Sequence, residues 1–317
     1  MIACLQRRRN GAAQVLRIVA GMPAASSLSP TRALSPLVLA CLAATWLVWG
    51  STYLAIKFAL TGFPPFLMMG SRFVVAGALL LGYTAARGAP LPGPRAWRNA
   101  AIVAALMLGC GMGGTAYAEL SINSGLVVAF IAVTPMLVVL MSLPFGIRPD
   151  RREVVGILIG LAGVLMLVRG AGFSSSPRGL GAMVVACCGW SLGSVLSQRS
   201  LPLADGAPGF ASEMITGGVL LLALGLLAGE RLTSPAPAAA WIAWLYLVTF
   251  GSLIAFNAYM LLLGRASAGL ATSYTYVNPV IALLLGVAIG GEHVTGWEWL
   301  SAGIIVAGVV LLLSGRR

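Results

Sequence analysis

The residues best suited to chemistry are two charges set inside apolar sequence, Arg72 and Glu213. An ionisable group at membrane depth is costly, and chains keep one mainly where it faces a bundle interior or water. Arg72 is expected about seven residues inside its span, roughly 10 Å deep at a rise of 1.5 Å per residue. Glu213 is expected about four residues inside the opposite end of another span. Each is a candidate to line a vestibule, gate it or attract a charged solute. The alternative is snorkelling to the nearest interface, or a structural hydrogen bond to backbone. Lys57, close to a span end, suits snorkelling better, and Glu119, which closes a span, is a candidate for the mouth of a pathway.

Neutral groups extend the set. Trp46, Trp49 and Tyr53 recur at helical spacing on one face. Their rings could stack on a flat or cationic solute, or pack the core. Asn257, Tyr274, Tyr276 and Asn278 supply hydrogen-bonding groups at membrane depth. Pro135 and Pro279 each remove a backbone hydrogen bond and free a carbonyl. Such helix discontinuities point to binding sites in repeat transporters, with packing kinks as the alternative. Nothing comparable suggests catalysis. His293 stands alone, no HExxH or GxSxG context appears, and the carboxylates are scattered. Cys4, Cys41, Cys110, Cys187 and Cys188 show no metal-ligand spacing and suit small buried hydrophobes. No enzyme, metal or cofactor is expected.

The elements that must position these residues follow from composition. Of 317 residues 59% are hydrophobic and 9% charged, against roughly a quarter charged in a soluble domain. A net charge of +12 would suggest nucleic acid, but the arginines lie between apolar runs, which excludes that partner. Ten apolar stretches are expected to span a membrane: Leu34–Phe58, Phe66–Ala85, Ala96–Ala118, Gly125–Leu143, Val154–Val168, Gly179–Gln198, Gly209–Ala228, Trp241–Leu263, Leu270–Ile289 and Trp297–Leu313. The fold class is thus an all-α integral membrane protein of ten transmembrane helices. With the N-terminus inside, 15 of the 20 Lys and Arg residues fall in cytoplasmic segments, 3 in external loops (Arg169, Arg178, Arg231) and 2 within spans. That bias sets both termini in the cytoplasm. Residues 1–33 are expected to be a basic, flexible extension with Met22 as an alternative start, because the first long apolar run arrives too late for a signal peptide.

The two halves repeat. Trp49 is followed by Arg72 at +23 and Gly77 at +28, and Trp190 by Glu213 at +23 and Gly218 at +28. Gly125 and Pro135 lie 10 apart, as do Gly269 and Pro279, and the same interval separates Glu153 from Gly163 and Glu298 from Gly308. Five spans per half is an odd number, so the second copy must enter the membrane from the opposite side. The expected organisation is two inverted five-helix repeats, 34–170 and 178–314, which is the arrangement that supports alternating access.

Particular residues also carry a family resemblance: Trp49-Gly50-Ser51-Thr52-Tyr53, then Phe63-Pro64-Pro65 leading into Gly70-Ser71-Arg72-Phe73. Asn257-Ala258-Tyr259-Met260, Ala271-Thr272-Ser273-Tyr274-Thr275-Tyr276-Val277-Asn278-Pro279-Val280 and Gly290-Gly291-Glu292 add to it. Over roughly residues 34 to 313 the chain resembles the drug/metabolite transporter superfamily, EamA type, in its bacterial inner-membrane exporter subgroup. The resemblance implies a multi-pass transporter of the inner membrane that exports a small metabolite or toxic compound. Its partners would be that small molecule, membrane lipid and perhaps-coupled ions in the form of protons, with a monomer or homodimer as the working unit. An importer or facilitator of the same fold, and a structural or sensory membrane protein, are the competing readings.

Overall fold

Proline opens most of the long helices, because its fixed φ suits the first turn, where its missing N–H costs nothing. Pro36, Pro65, Pro94, Pro177 and Pro208 all stand in the first two positions of a helix. Ser35, Asp150, Ser176, Ser267 and Thr295 cap others by accepting from backbone N–H groups. Thr295 and Glu298 complete a reciprocal capping box. The computed structural model describes residues 34–122, 127, 130–169, 176–232, 235–290 and 295–314. Residues 1–33, Gly125, Gly291, Glu292 and His293 therefore lie outside the described residues.

Every regular element among the described residues is helical. In chain order they are α1 (Pro36–Ala59), α2 (Pro65–Ala86), α3 (Pro94–Ala118), α4 (Thr134–Phe145) and α5 (Arg151–Val168), followed by α6 (Pro177–Arg199), α7 (Ala207–Leu227), α8 (Ala238–Leu263), α9 (Tyr274–Gly290) and α10 (Gly296–Leu313). Seven are long and apolar enough to cross a membrane: α1, α2, α3, α6, α7, α8 and α10. The other three fall short of the expected spans for distinct reasons. The chain turns at Ala132 and Val133, so α4 begins at Thr134, and it turns again at Thr272 and Ser273, so α9 begins at Tyr274. α5 carries Arg151, Arg152 and Glu153 in its first turn. These breaks also correct one expectation about the prolines. Pro135 stands in the first turn of α4, where it breaks no bond. Pro279 does lie inside α9, and it deprives the Thr275 carbonyl of its usual donor.

Polarity is arranged inside out. Leu227, Ile242 and Leu226 are 85%, 69% and 68% exposed on the outer surface, while Arg72 and Glu213 are 1% and 0% exposed. Large apolar side chains turned outward and charges turned inward are what a lipid solvent requires.

Helix contacts run through glycine, as expected where backbones must approach closely in lipid. A Cβ on Gly70 of α2 would lie 2.9 Å from the Gly218 carbonyl oxygen of α7, and one on Gly218 would lie 2.8 Å from the Gly70 oxygen. α5 and α10 meet likewise, with a Cβ on Gly308 falling 2.7 Å from the Gly160 nitrogen. α3 packs on α6 and α8 on α1, and α4 packs on α6 as α9 does on α1. Gly88 and Gly229 end α2 and α7 at φ of 78° and 77°, a left-handed conformation that glycine adopts at little cost. Glu230, just beyond α7, accepts from the backbone N–H groups of Phe66 and Leu67 at 3.2 and 2.8 Å and so closes the start of α2.

Two helices depart from α geometry at their centres. Ala105–Gly113 within α3 and Leu247–Phe256 within α8 are π-helical. Such widened turns are rare and concentrate at functional sites.

The glycine contacts generate a pair of opposite outcomes. Gly308→Ala is expected to lose about 1–3 kcal/mol through overpacking against α5. Gly82→Ala, in α2 with open space around it, is expected to gain about 0.5–1 kcal/mol from helix propensity. Thermal unfolding in detergent reads both, and equal midpoints for the two variants would contradict the packing described.

Candidate substrate cavity

Arg72 is the eighth residue of α2, and its guanidinium is enclosed by the bundle. Its Nε donates to Ser252 Oγ at 2.9 Å. Its two terminal nitrogens reach only the sulfurs of Met69 and Met112, at 3.5 and 3.8 Å. The guanidinium carbon stands 4.6 Å from the centre of the Phe73 ring, a cation–π contact. No carboxylate among the described residues forms an ion pair with it. Ser252 comes from the π segment of α8 and Met112 from that of α3, so both widened turns converge on this one charge.

Beside Arg72 lies a cavity of about 650 Å³, its mouth included. α1 contributes Trp49, Thr52 and Ile56 to the wall, α2 Met69, and α3 Met112 and Thr115. Thr134 of α4, Cys187 and Trp190 of α6 and Tyr274 of α9 complete the lining that matters here, and no acidic side chain belongs to it.

An aromatic layer ends the cavity. Trp49 stands 5.7 Å from Trp190, 5.3 Å from Tyr259 and 4.6 Å from Tyr274, centre to centre, in edge-on or tilted contacts. The polar atoms of the layer are satisfied from within. Trp49 Nε1 donates to the Gly251 carbonyl at 3.2 Å, inside the α8 π segment. Trp190 Nε1 donates to the Tyr259 hydroxyl at 3.1 Å. Ser194 donates to the Trp190 carbonyl at 2.7 Å, which leaves its oxygen to accept from Tyr259 at 2.9 Å.

Glu213 lies elsewhere. α7 begins at Ala207, two residues earlier than expected, so Glu213 is the seventh residue of its helix, roughly 9 Å from the end at 1.5 Å per residue. It is deeper than the sequence suggested. Both carboxylate oxygens are buried with no hydrogen-bond partner. A Cβ on Gly77 would touch Ile215 and Ala211, which sets Glu213 level with Gly77, five residues and roughly 7–8 Å along the bundle from Arg72. Tyr259 touches Trp49, Trp190 and Tyr274 and is near enough to Glu213 to feel its charge.

The structure thus brings Trp49, Arg72 and Tyr274 together on one cavity wall. Trp46 instead donates from Nε1 to Ser273 Oγ at 3.0 Å. Asn257 turns back on its own helix, donating to the Ser252 and Leu253 carbonyls at 3.3 and 2.9 Å and tying down the end of the π segment. Tyr276 packs against Gly160, and its hydroxyl and both amide atoms of Asn278 are buried without partners, for which the surroundings offer no account. Glu119 caps the end of α3, half-buried. The side chain of Tyr53 lies outside the described residues.

The sequence profile of the EamA-like transporter family matches the chain twice, over residues 34–169 and 177–314. This chain belongs to the EamA-like transporter family. Its relatives include the inner membrane transporter YedA of Escherichia coli, 42% identical over 274 residues that span 86% of this chain and 89% of YedA. A probable amino-acid metabolite efflux pump of Escherichia coli is 22% identical, over 85% of this chain and 92% of that protein. A crystal structure at 24% identity superposes with a TM-score of 0.72, covering 88% of this chain and 97% of its own, which is a likeness of fold. As an EamA-like transporter the protein is an integral membrane protein that handles a small molecule.

Several of the cavity residues of this EamA-like chain were not singled out by sequence. Met69, Met112, Thr115 and Thr134 carry no pattern that separates them from packing residues. Ser252 and Tyr259 depend on the widened turn of α8, which has no sequence signature beyond Gly251. Tyr259 is the keystone of the layer, so Tyr259→Phe is expected to orphan Trp190 Nε1 and destabilise the protein by about 1–3 kcal/mol. Thermal unfolding in detergent checks this, and an unchanged midpoint would show that the layer does not depend on that hydroxyl.

Proposed function

We propose that this EamA-like protein is a bacterial inner-membrane secondary transporter that exports a small metabolite or toxic compound by alternating access. In this reading the chain crosses the membrane ten times with both termini in the cytoplasm. Repeats 34–170 and 178–314 enter from opposite sides. The observation that carries it is a solute-sized cavity ending at the aromatic layer, where Trp49 and Trp190 meet at 5.7 Å.

Paired features support the repeat. Trp49 and Trp190 lie 141 residues apart in sequence, as do Arg72 and Glu213, and Gly88 and Gly229. The π segments begin 142 apart, at Ala105 and Leu247. A pseudo-two-fold axis in the membrane plane relates such pairs in an inverted repeat, with the solute site between the halves. Arg72 then lines the external vestibule, and Glu213 belongs to a cytoplasmic vestibule that is closed in this state. A dry, unpartnered carboxylate is costly when ionised. It suits a group that takes up or releases a proton only when its own side opens, so protons are the proposed coupling ion. A structural or sensory protein has no need of such a cavity.

Metabolite profiling of cells overproducing the wild type, at matched membrane levels with the Glu213→Gln variant, tests the transport reading. Export predicts compounds that accumulate in the medium only with active protein; accumulation inside would indicate an importer, and no difference from empty cells would count against transport. In proteoliposomes, Glu213→Gln is expected to lose flux driven by a pH gradient yet keep solute-for-solute exchange. Gradient-driven flux that survives in this variant would refute Glu213 as the proton carrier.

A further inference from the structure

We infer that the cavity selects a solute bearing a single carboxylate on an apolar or aromatic body, with Arg72 as its anchor. That such a solute is carried across the membrane rests on the proposed transport; that it binds does not.

Three observations lead there. A guanidinium offers five N–H donors, and in Arg72 only Nε meets an oxygen, that of Ser252. The terminal nitrogens face thioether sulfurs at 3.5 and 3.8 Å, which are weak acceptors. A planar pair of under-used donors at a cavity wall matches a carboxylate, which can take both at once. A buried charge without a partner is costly, and a bound anion would remove that cost.

The rest of the wall excludes the alternatives. No acidic side chain lines it, so the ammonium of an amine or a zwitterion finds no counter-charge and meets Arg72 as a like charge. This opposition is a means of selection as effective as attraction. The Thr52 and Thr115 hydroxyls donate to the carbonyls of Trp49 and Gly111 at 2.8 and 2.9 Å. They turn only lone pairs to the cavity and offer a carboxylate nothing. Arg72 is left as the anion donor, while Trp49, Trp190 and Tyr274 present an aromatic wall for the body of the solute.

Three probes of equal size distinguish the charge: 3-phenylpropionate, 3-phenylpropanamide and 3-phenylpropylamine. Each is titrated against the purified full-length protein in detergent, with binding followed by tryptophan fluorescence, since Trp49 and Trp190 line the cavity. The acid is expected to bind at least about tenfold more tightly than the amide, as charge-assisted hydrogen bonds require, and the amine no better than the amide. Arg72→Gln should bring the acid down to the affinity of the amide and leave the amide unchanged, which also reports that the variant is folded. An amide or amine that binds wild type as well as the acid overturns the inference, as does an acid preference that survives in Arg72→Gln, or a failure of all three probes to bind. The wild-type ranking decides even if the variant does not fold. Acid binding without flux in proteoliposomes would remove the transport reading and keep the site. Flux of some other solute without acid preference would do the reverse.

Discussion

Moving a guanidinium from water into a helix bundle costs several kcal/mol unless acceptors meet it, and regular α-helices have few to offer because their carbonyls are engaged along their own backbone. The centre of this protein can be understood as the answer to that difficulty. The π segment in α8 brings Ser252 to the Nε of Arg72 and leaves the neighbouring Gly251 carbonyl free for the indole of Trp49. The π segment in α3 brings Met112 against the same side chain. One charge therefore has two distorted helices and the first member of the aromatic layer organised around it.

That organisation works only if the surrounding helices come close. α2, which carries Arg72, is pressed against α7 at Gly70 and Gly218, where a methyl group would collide with backbone. α5 and α10 are joined in the same manner at Gly156, Gly160 and Gly308. The long side chains displaced from these contacts point outward, where lipid accepts them. Glycine at the crossings and aromatic rings at the centre divide the work, since one permits approach and the other fills the space that remains.

The helices that position the site were largely legible in the sequence, because proline starts, serine and threonine caps and unbroken apolar runs are local signals. The breaks before Thr134 and Tyr274 were not, since Ala132-Val133 and Thr272-Ser273 contain no glycine or proline to announce a turn. Arg72 and Glu213 stood out because charge in apolar sequence is rare, and Trp49 and Tyr274 because they sit beside recognisable motifs. Trp46 lies one helical turn from Trp49 yet is directed to Ser273, which spacing alone could not separate. Residues beyond a widened turn are rotated relative to the 3.6-residue repeat, so the bearings of Ser252, Asn257 and Tyr259 could not be obtained by counting along α8. The depth of Glu213 was underestimated because Pro208 was placed before the helix, when it belongs to its first turn.

The widened turns have a historical consequence. A π segment arises when a residue is added to an α-helix without displacing what flanks it, so it marks an insertion. The segments in α3 and α8 begin at Ala105 and Leu247, and the family profile matches the chain once around each. On the proposed repeat, the simplest ancestry places the added residue in a half-length precursor, before the gene that encoded it was doubled.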